Sequence, residues 1–359
     1  MKKILPLVLL FISASVFGQN EAAIAAKADS LHKVFFTIDT HNDYAIYACH
    51  PDAEDYSVEK GQVSFPMMVE GGLDASVFAI YMGQAGRSED SLKLAVEYGV
   101  REVKLFKEFV EKNFSDYVEI AYSADDLLRI KAAGKRAVLL SLENGYMLGK
   151  DIKNVEMFYN LGIRLITLCH FGDNDVCDSA NGSKDEWGGL SPFGVEVVKE
   201  MNRLGMIIDL SHCSRTTVYD CIKLSKAPIV ASHSGVYNYK AIPRNLTDPE
   251  MLKIAAKNGY IGLPAGRYFL SHKPKKELSV ANIIDHVDYV KNLLGKEYIG
   301  IGTDFDGGAG VPGFENMSKM KEITKEMLRR GYTDEEIECF WGKNFIRVFK
   351  AVEAKKENK

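Results

Sequence analysis

Short apolar or β-branched runs recur along the chain, each followed by a longer stretch in which apolar positions return every three or four residues. The short runs fall at 34–39, 75–82, 136–142, 163–169, 205–211, 228–232, 259–264 and 298–303. Runs of this length, rich in Val, Ile and aromatic residues and bounded by turn formers, read as strands. Between them, 91–113, 192–205, 248–259 and 283–295 carry helical periodicity, and Asp248-Pro249 and Gly259 open and close one of these segments. Two further helical segments, 316–330 and 333–351, are expected to pack outside. Strands alternating with helices make βαβ units and a parallel sheet, and a count of eight favours a closed (β/α)8 TIM-type barrel over an open sheet. No repeat, low-complexity tract or linker divides residues 19–359, which read as a single barrel domain.

The first residues break this pattern. "MKKILPLVLLFISASVFGQN" has two lysines, an apolar stretch and then Val16-Phe17-Gly18, the layout of a secretory signal peptide over residues 1–18. The mature chain is expected to begin at Gln19 and to be exported, periplasmic or secreted. The leader is short for a membrane span, no Cys stands at the cleavage point to take lipid, and the tail "AVEAKKENK" is polar, so no membrane anchor is expected. With 46% hydrophobic and 26% charged residues the rest is ordinary globular protein, and a net charge of −4 without a basic stripe excludes nucleic acid as a partner. Six cysteines without a C-x-x-C read as small core residues, with room for one or two disulfides.

The strand ends carry the chemistry. Asp39, His41 and Asp43 come with the first run, Glu143 follows the third, His170 the fourth, His212 the fifth, His233 the sixth, and Asp304 and Asp306 the eighth. One such end is most simply an Asx turn. In a barrel, however, all of them meet at the C-terminal mouth, where active sites of this architecture are built. Four of the eight histidines converge there with carboxylates. Imidazole and carboxylate without thiolate suit zinc in an open hydrolytic site. The set is too large for one ion: His41 with Asp43 and His212 with His233, bridged by Glu143, would make a binuclear centre with two Zn2+ per subunit and a bridging hydroxide as nucleophile. Asp304 is the expected proton shuttle, ahead of Asp306, which lies further into the loop. The "DFDGGAGVPG" glycines lack the Lys-Ser/Thr of a phosphate loop and read as a flexible mouth loop. Cys169 and Cys213 flank ligand histidines without looking like nucleophiles, and no G-x-S-x-G supports a serine hydrolase.

The segments "DTHNDYA", "SLENG", "TLCHFGDNDVCDSA", "GLSPFGVEVVKEMNRLGMIIDLSH", "ASHSGVYNYKAIPRNLTDPEML", "GIGTDFDG" and "YTDEEIECFWGKNFIRVF" together resemble the membrane (renal-type) dipeptidase family, peptidase family M19 of the amidohydrolase superfamily, across residues 34–350. The resemblance implies the same ligand set, with His41 and Asp43 on one zinc, His212 and His233 on the other, Glu143 between them and Asp304 as shuttle. It further implies that His170 polarises the scissile carbonyl or steadies the oxyanion. Arg244 would clamp the substrate carboxylate, a role that a guanidinium fork also suits on its own chemistry. Tyr268, in a segment "LPAGRYFL" that departs from the family pattern, is a further candidate carboxylate contact. The implied activity is hydrolysis of free dipeptides with an L or D residue at the C-terminal position, by a chain for which a homodimer remains open. An N-acyl-amino-acid deacylase or lactonase on the same barrel is the alternative, because fold and metals do not fix a substrate. A non-catalytic binding barrel would lack a ligand or the shuttle, and none is missing.

Overall fold

The computed structural model describes residues 5–48, 61–182 and 185–357, with side chains from residue 20 onward. The side chains of the expected leader, together with Cys49 and His50, lie outside that description. Among the described residues no helix is long and apolar enough to cross a membrane.

Nine strands form one sheet: β1 (Ile38–Asn42), β2 (Ala75–Tyr81), β3 (Val118–Ala121), β4 (Arg136–Glu143), β5 (Ile163–Thr167), β6 (Ile207–Asp209), β7 (Val230–Ala231), β8 (Tyr260–Leu263) and β9 (Ile299–Ile301). Eight of them run parallel in the order β1-β2-β4-β5-β6-β7-β8-β9, a nearly closed barrel. The barrel closes between β1 and the end of β9, where Asp43 N donates to Phe305 O at 2.9 Å and Asp304 N to His41 O at 3.1 Å. The Asp39 carboxylate completes the seam, accepting from Thr303 N at 2.7 Å and Thr303 Oγ1 at 2.8 Å.

Two expectations change. The first strand begins later than its apolar run: Val34 ends the N-terminal helix and is 70% exposed, so "VFF" is a link and the strand itself carries Asp39 and His41. β3 is an addition, too short to register as a run. It shares one edge of β4 with β5, pairing Val118–Ala121 with Arg136–Leu139 while β5 takes Leu140–Glu143.

Local chemistry explains the helices. Ser88 caps Glu89–Phe114 by accepting from Ser91 N, and Leu92, Ala95, Gly99, Val103, Phe106 and Val110 form its buried face at three- and four-residue spacing. Ser191 and Gly205, the latter left-handed, bracket Pro192–Leu204. The last helix, Asn344–Glu353, does not pack outside as expected. Its Phe345, Val348, Phe349 and Val352 share one buried cluster with Ile38, Ala75, Ile207 and Val230, so it seals the strand-start end of the barrel, opposite the mouth. An apolar face of four large side chains finds its natural burial there.

The N-terminal helix is held by a polar relay. Trp341 Nε1 donates to Thr324 Oγ1 at 2.7 Å, Thr324 Oγ1 donates to His32 Nε2 at 2.7 Å, and His32 Nδ1 donates to Gly72 O at 3.0 Å. This chain fixes a neutral imidazole, and burial lowers the His32 pKa to about 4. A neutral buried histidine stabilises fully above its unfolded pKa of about 6.5 and loses that contribution as pH falls toward 4, because only the unfolded chain takes up the proton in that window. We therefore expect unfolding free energy to decline by up to ~3 kcal/mol from this residue between pH 6.5 and 4. Urea titrations across that range should show a shallower decline in His32→Gln than in the wild type, and parallel curves would contradict the assignment.

Candidate metal centre

Each mouth side chain is delivered by a strand end. Glu143 is the last residue of β4 and stands in register with Tyr81 of β2 and Thr167 of β5, and Thr167 with Asp209 of β6. His41 lies within β1, His212 and His233 follow β6 and β7, and Asp304 follows β9. Asn144, His212, Asp304 and Asp306 all adopt left-handed backbone, with φ of 91°, 70°, 63° and 65°. Such conformations are sparsely populated for residues with a side chain and persist where the surroundings impose them, typically at functional sites.

Glu143 is the hub. Its Oε1 lies 3.2 Å from His212 Nε2, 3.6 Å from His41 Nε2, 3.7 Å from His233 Nε2 and 4.0 Å from His170 Nε2. His41 Nε2 is also 3.7 Å from Asp43 Oδ2 and 3.8 Å from Asp304 Oδ1. His41 stacks on His233 with ring centroids 3.7 Å apart, and the Nε2 atoms of His212 and His233 approach to 3.0 Å. The five expected ligands and Asp304 are thus brought together, although His41 and Asp304 are 263 positions apart in the chain.

A polar layer beneath them sets the tautomer of His233. Asp209 accepts from Ser211 N (3.1 Å), Ser232 N (2.7 Å), Ser232 Oγ (2.6 Å) and Thr167 Oγ1 (2.7 Å). Since the one Ser232 hydroxyl proton goes to Asp209, Ser232 Oγ must accept from His233 Nδ1 at 2.8 Å, which leaves the Nε2 lone pair of His233 facing Glu143. Thr40 occupies the space below, donating to Ser232 O at 2.7 Å and close to Ile301 O. Gly262 is needed beside it, because a Cβ there would lie 2.0 Å from Ser232 O.

The electrostatics are those of a cluster short of positive charge. Burial works against protonating His41, but Glu143, Asp43 and Asp304 outweigh it and raise its pKa to about 10. Burial, reinforced by Asp43, raises Asp304 to about 8 and, against the pull of His41, pushes Glu143 well up. Burial and the charge of Arg244 lower His170 to about 3, and burial drives His212 and His233 well down. His41 Nδ1 and Nε2 and His212 Nδ1 are buried without a hydrogen-bond partner. Three overlapping groups could each hold an ion: His41–Asp43–Glu143, Glu143–His212–His233 and His41–His233–Asp304. Two nitrogens on one zinc sit ~3.3 Å apart at tetrahedral geometry, close to the observed spacing of His212 and His233. The donor set fits divalent cations.

Around this centre is a cavity of about 440 Å3 lined by Asp43, Tyr47, Tyr81, His170, Tyr268 and Asp304, among others. Its size suits a small-molecule ligand. Tyr81, which sequence reasoning did not single out, hydrogen-bonds His170 Nδ1 at 3.3 Å. Its only signal is its place at the end of a strand. Tyr268 is 42% exposed on the rim. Arg244 is 3% exposed behind His233, giving one N–H each to Ser234 Oγ (2.8 Å) and His233 O (2.9 Å) and leaving Nε unpartnered. Asp39, counted above among the strand-end acids, stays out of the cluster because Thr303 occupies both its oxygens. Asp306 is tied to Gln62, accepting from its N at 2.7 Å and donating back to Oε1 at 2.9 Å. The mouth loop is anchored rather than loose: Phe305, Val311 and Phe314 are fully buried. The five described cysteines are free, buried thiols, so none of the disulfides allowed for forms among them.

A parallel barrel whose mouth can hold metal between imidazoles and carboxylates defines the class, and sequence comparison narrows it. The membrane dipeptidase model (peptidase family M19) matches residues 25–359, and the chain belongs to that family of metallo-dipeptidases. Dipeptidase tcpJ of Claviceps purpurea is 34% identical over 82% of this chain and 70% of its own length. Dipeptidase aclJ of Aspergillus oryzae is 30% identical over 88% of this chain and 78% of its own. The solved structure of the probable dipeptidase PvdM from Pseudomonas aeruginosa superposes with a TM-score of 0.85 at 26% identity, covering 93% of this chain and 99% of that one.

Proposed function

We propose that this chain is an exported, binuclear zinc dipeptidase that cleaves the peptide bond of free dipeptides with an L or D C-terminal residue. The observation that carries the reading is the Glu143 carboxylate, with the Nε2 atoms of four imidazoles from separate strand ends within 4.0 Å of one oxygen. In this reading His41 and Asp43 would hold one cation and His212 and His233 the other, with Glu143 shared between them. Bound cations supply Lewis acidity, which makes a water acidic and polarises a carbonyl.

The remaining steps belong to the chain's own side chains. Asp304 Oδ1, 3.8 Å from His41 Nε2, takes the proton of the attacking water and passes it to the leaving amine. His170, neutral and oriented by Tyr81, donates from Nε2 to the carbonyl oxygen as negative charge develops there. The Arg244 N–H groups not spent on Ser234 and His233 meet the terminal carboxylate, with Tyr268 on the rim beside it. The two lysines and apolar run of residues 1–18 support removal of a leader and release in the periplasm or medium.

Three outcomes follow. Chelation should abolish dipeptide hydrolysis and zinc restore it, while Glu143→Gln should lose more than the roughly 10–100-fold that even outer partners of a metal site cost. Retention of activity in chelated enzyme, with metal content verified by mass spectrometry, would sink the proposal. Arg244→Met should raise KM for dipeptides by on the order of tenfold to a hundredfold, ~1.5–3 kcal/mol of lost charged hydrogen bonds, with a smaller change in kcat, and an unchanged KM would remove the clamp. Terminal sequencing of protein recovered outside the cytosol should begin at Gln19, and recovery with Met1 intact would refute the leader.

A further inference from the structure

Cys169, Cys177 and Cys213 form a second group of donors that the dipeptidase reading leaves unused. Their three sulfurs lie within 4.8 Å of one another, with Cys169 Sγ 3.9 Å from Cys213 Sγ. Cys169 and Cys177 are wholly buried and Cys213 is 6% exposed. Cys169 Sγ also approaches two carbonyl oxygens, His212 O at 3.5 Å and Asp178 O at 3.8 Å. Nothing in packing requires three thiols from two separate loops to meet at one point, since alanine or valine would fill the same space without a polar atom.

From this geometry we infer that the three cysteines form a closed site for one soft, thiophilic d10 cation of the Zn2+ or Cu+ type, distinct from the centre at the mouth. Thiolates held by zinc at about 2.3 Å in tetrahedral geometry sit ~3.8 Å apart, the spacing found for Cys169 and Cys213. Loading forms three sulfur–metal bonds and releases the three thiol protons to water, with no change of oxidation state. The fourth position of a tetrahedral ion falls to a carbonyl such as His212 O. Three thiolates around Zn2+ leave one negative charge in the interior, one fewer than around Cu+.

The placement gives the site a purpose. Cys169 and Cys177 lie in the loop that carries His170, and Cys213 follows His212 directly. The two stretches already touch through Ser179, which pairs with Cys213 and donates to His170 O. A cation across the trio would fix the loop after β5 to the turn after β6, and with them the imidazoles that face Glu143. With the sulfurs so deeply buried, the ion would be taken up as the chain folds.

Cobalt separates the two centres, because the mouth offers only nitrogen and oxygen donors. Whole protein unfolded with chelator and reductant, refolded in excess Co2+ and freed of loose metal should show a sulfur-to-cobalt charge-transfer band in the near ultraviolet with the intensity of one thiolate-bound cobalt per chain. The band should vanish in Cys177→Ser and in Cys213→Ala, and persist in Cys221→Ser, which removes a buried thiol outside the trio. No band in the wild type, or a band indifferent to Cys177→Ser, would overturn the inference whether or not the mouth centre hydrolyses dipeptides. A disulfide mapped by peptide mass spectrometry between two of Cys169, Cys177 and Cys213 in unreduced protein would overturn it as well.

Discussion

Glu143 ends β4 with its carboxylate fully buried among imidazoles from four other strand ends. A lone carboxylate in such a place is costly, and two further acids, Asp43 and Asp304, crowd the same volume. The arrangement persists if the acids take up protons, as the raised Glu143 and Asp304 can, or if positive charge joins them as protons on histidine or as bound cations. The lone pair that Asp209 and Ser232 leave on His233 Nε2, and the unpartnered nitrogens of His41 and His212, favour the cations. Much else in the mouth follows from that requirement: the left-handed turns that aim His212 and Asp304 inward, the register that levels Glu143 with Thr167 and Asp209, and the glycine that leaves Thr40 room beneath them.

The layers under the cluster matter as much as the ligands. Asp209 spans β5, β6 and the end of β7 with four hydrogen bonds, so its carboxylate stays fully satisfied while it directs the proton on His233. Asp39 does similar work at the seam between β1 and β9. Neither touches the cavity. A barrel interior is expected to be filled with branched apolar residues, and here its upper part is given over to a hydrogen-bonded network that holds His233 in one tautomer and one orientation.

How much of this is legible in the chain varies with the physics involved. Eight strands and the residues that gather at the mouth are readable because apolar runs end in imidazoles and carboxylates that have no reason to be there otherwise. The start of β1 is misread because Val34 to Phe36 looks like a strand while its neighbour helix claims Val34. β3 escapes because four residues are too few for a periodic signal, and its pairing is decided by the free half-edge of β4. Asp39 looks like a ligand by type and position, and only the proximity of Thr303, 264 residues away, removes it from the set. Arg244 is readable as a residue type, but not its depth behind His233. The "IDLSH" string does hold a clue to Asp209, an acid two residues before a serine at the end of an apolar run.

The seam between Asp39 and Thr303 has a consequence for the order of events in folding. Contacts between residues so far apart in sequence close late and at an entropic cost, because nearly the whole chain must already be in place. Asp304 arrives with that final strand. The mouth histidines and Glu143 can gather before that acid does, so the full cluster is assembled only once the ring has shut.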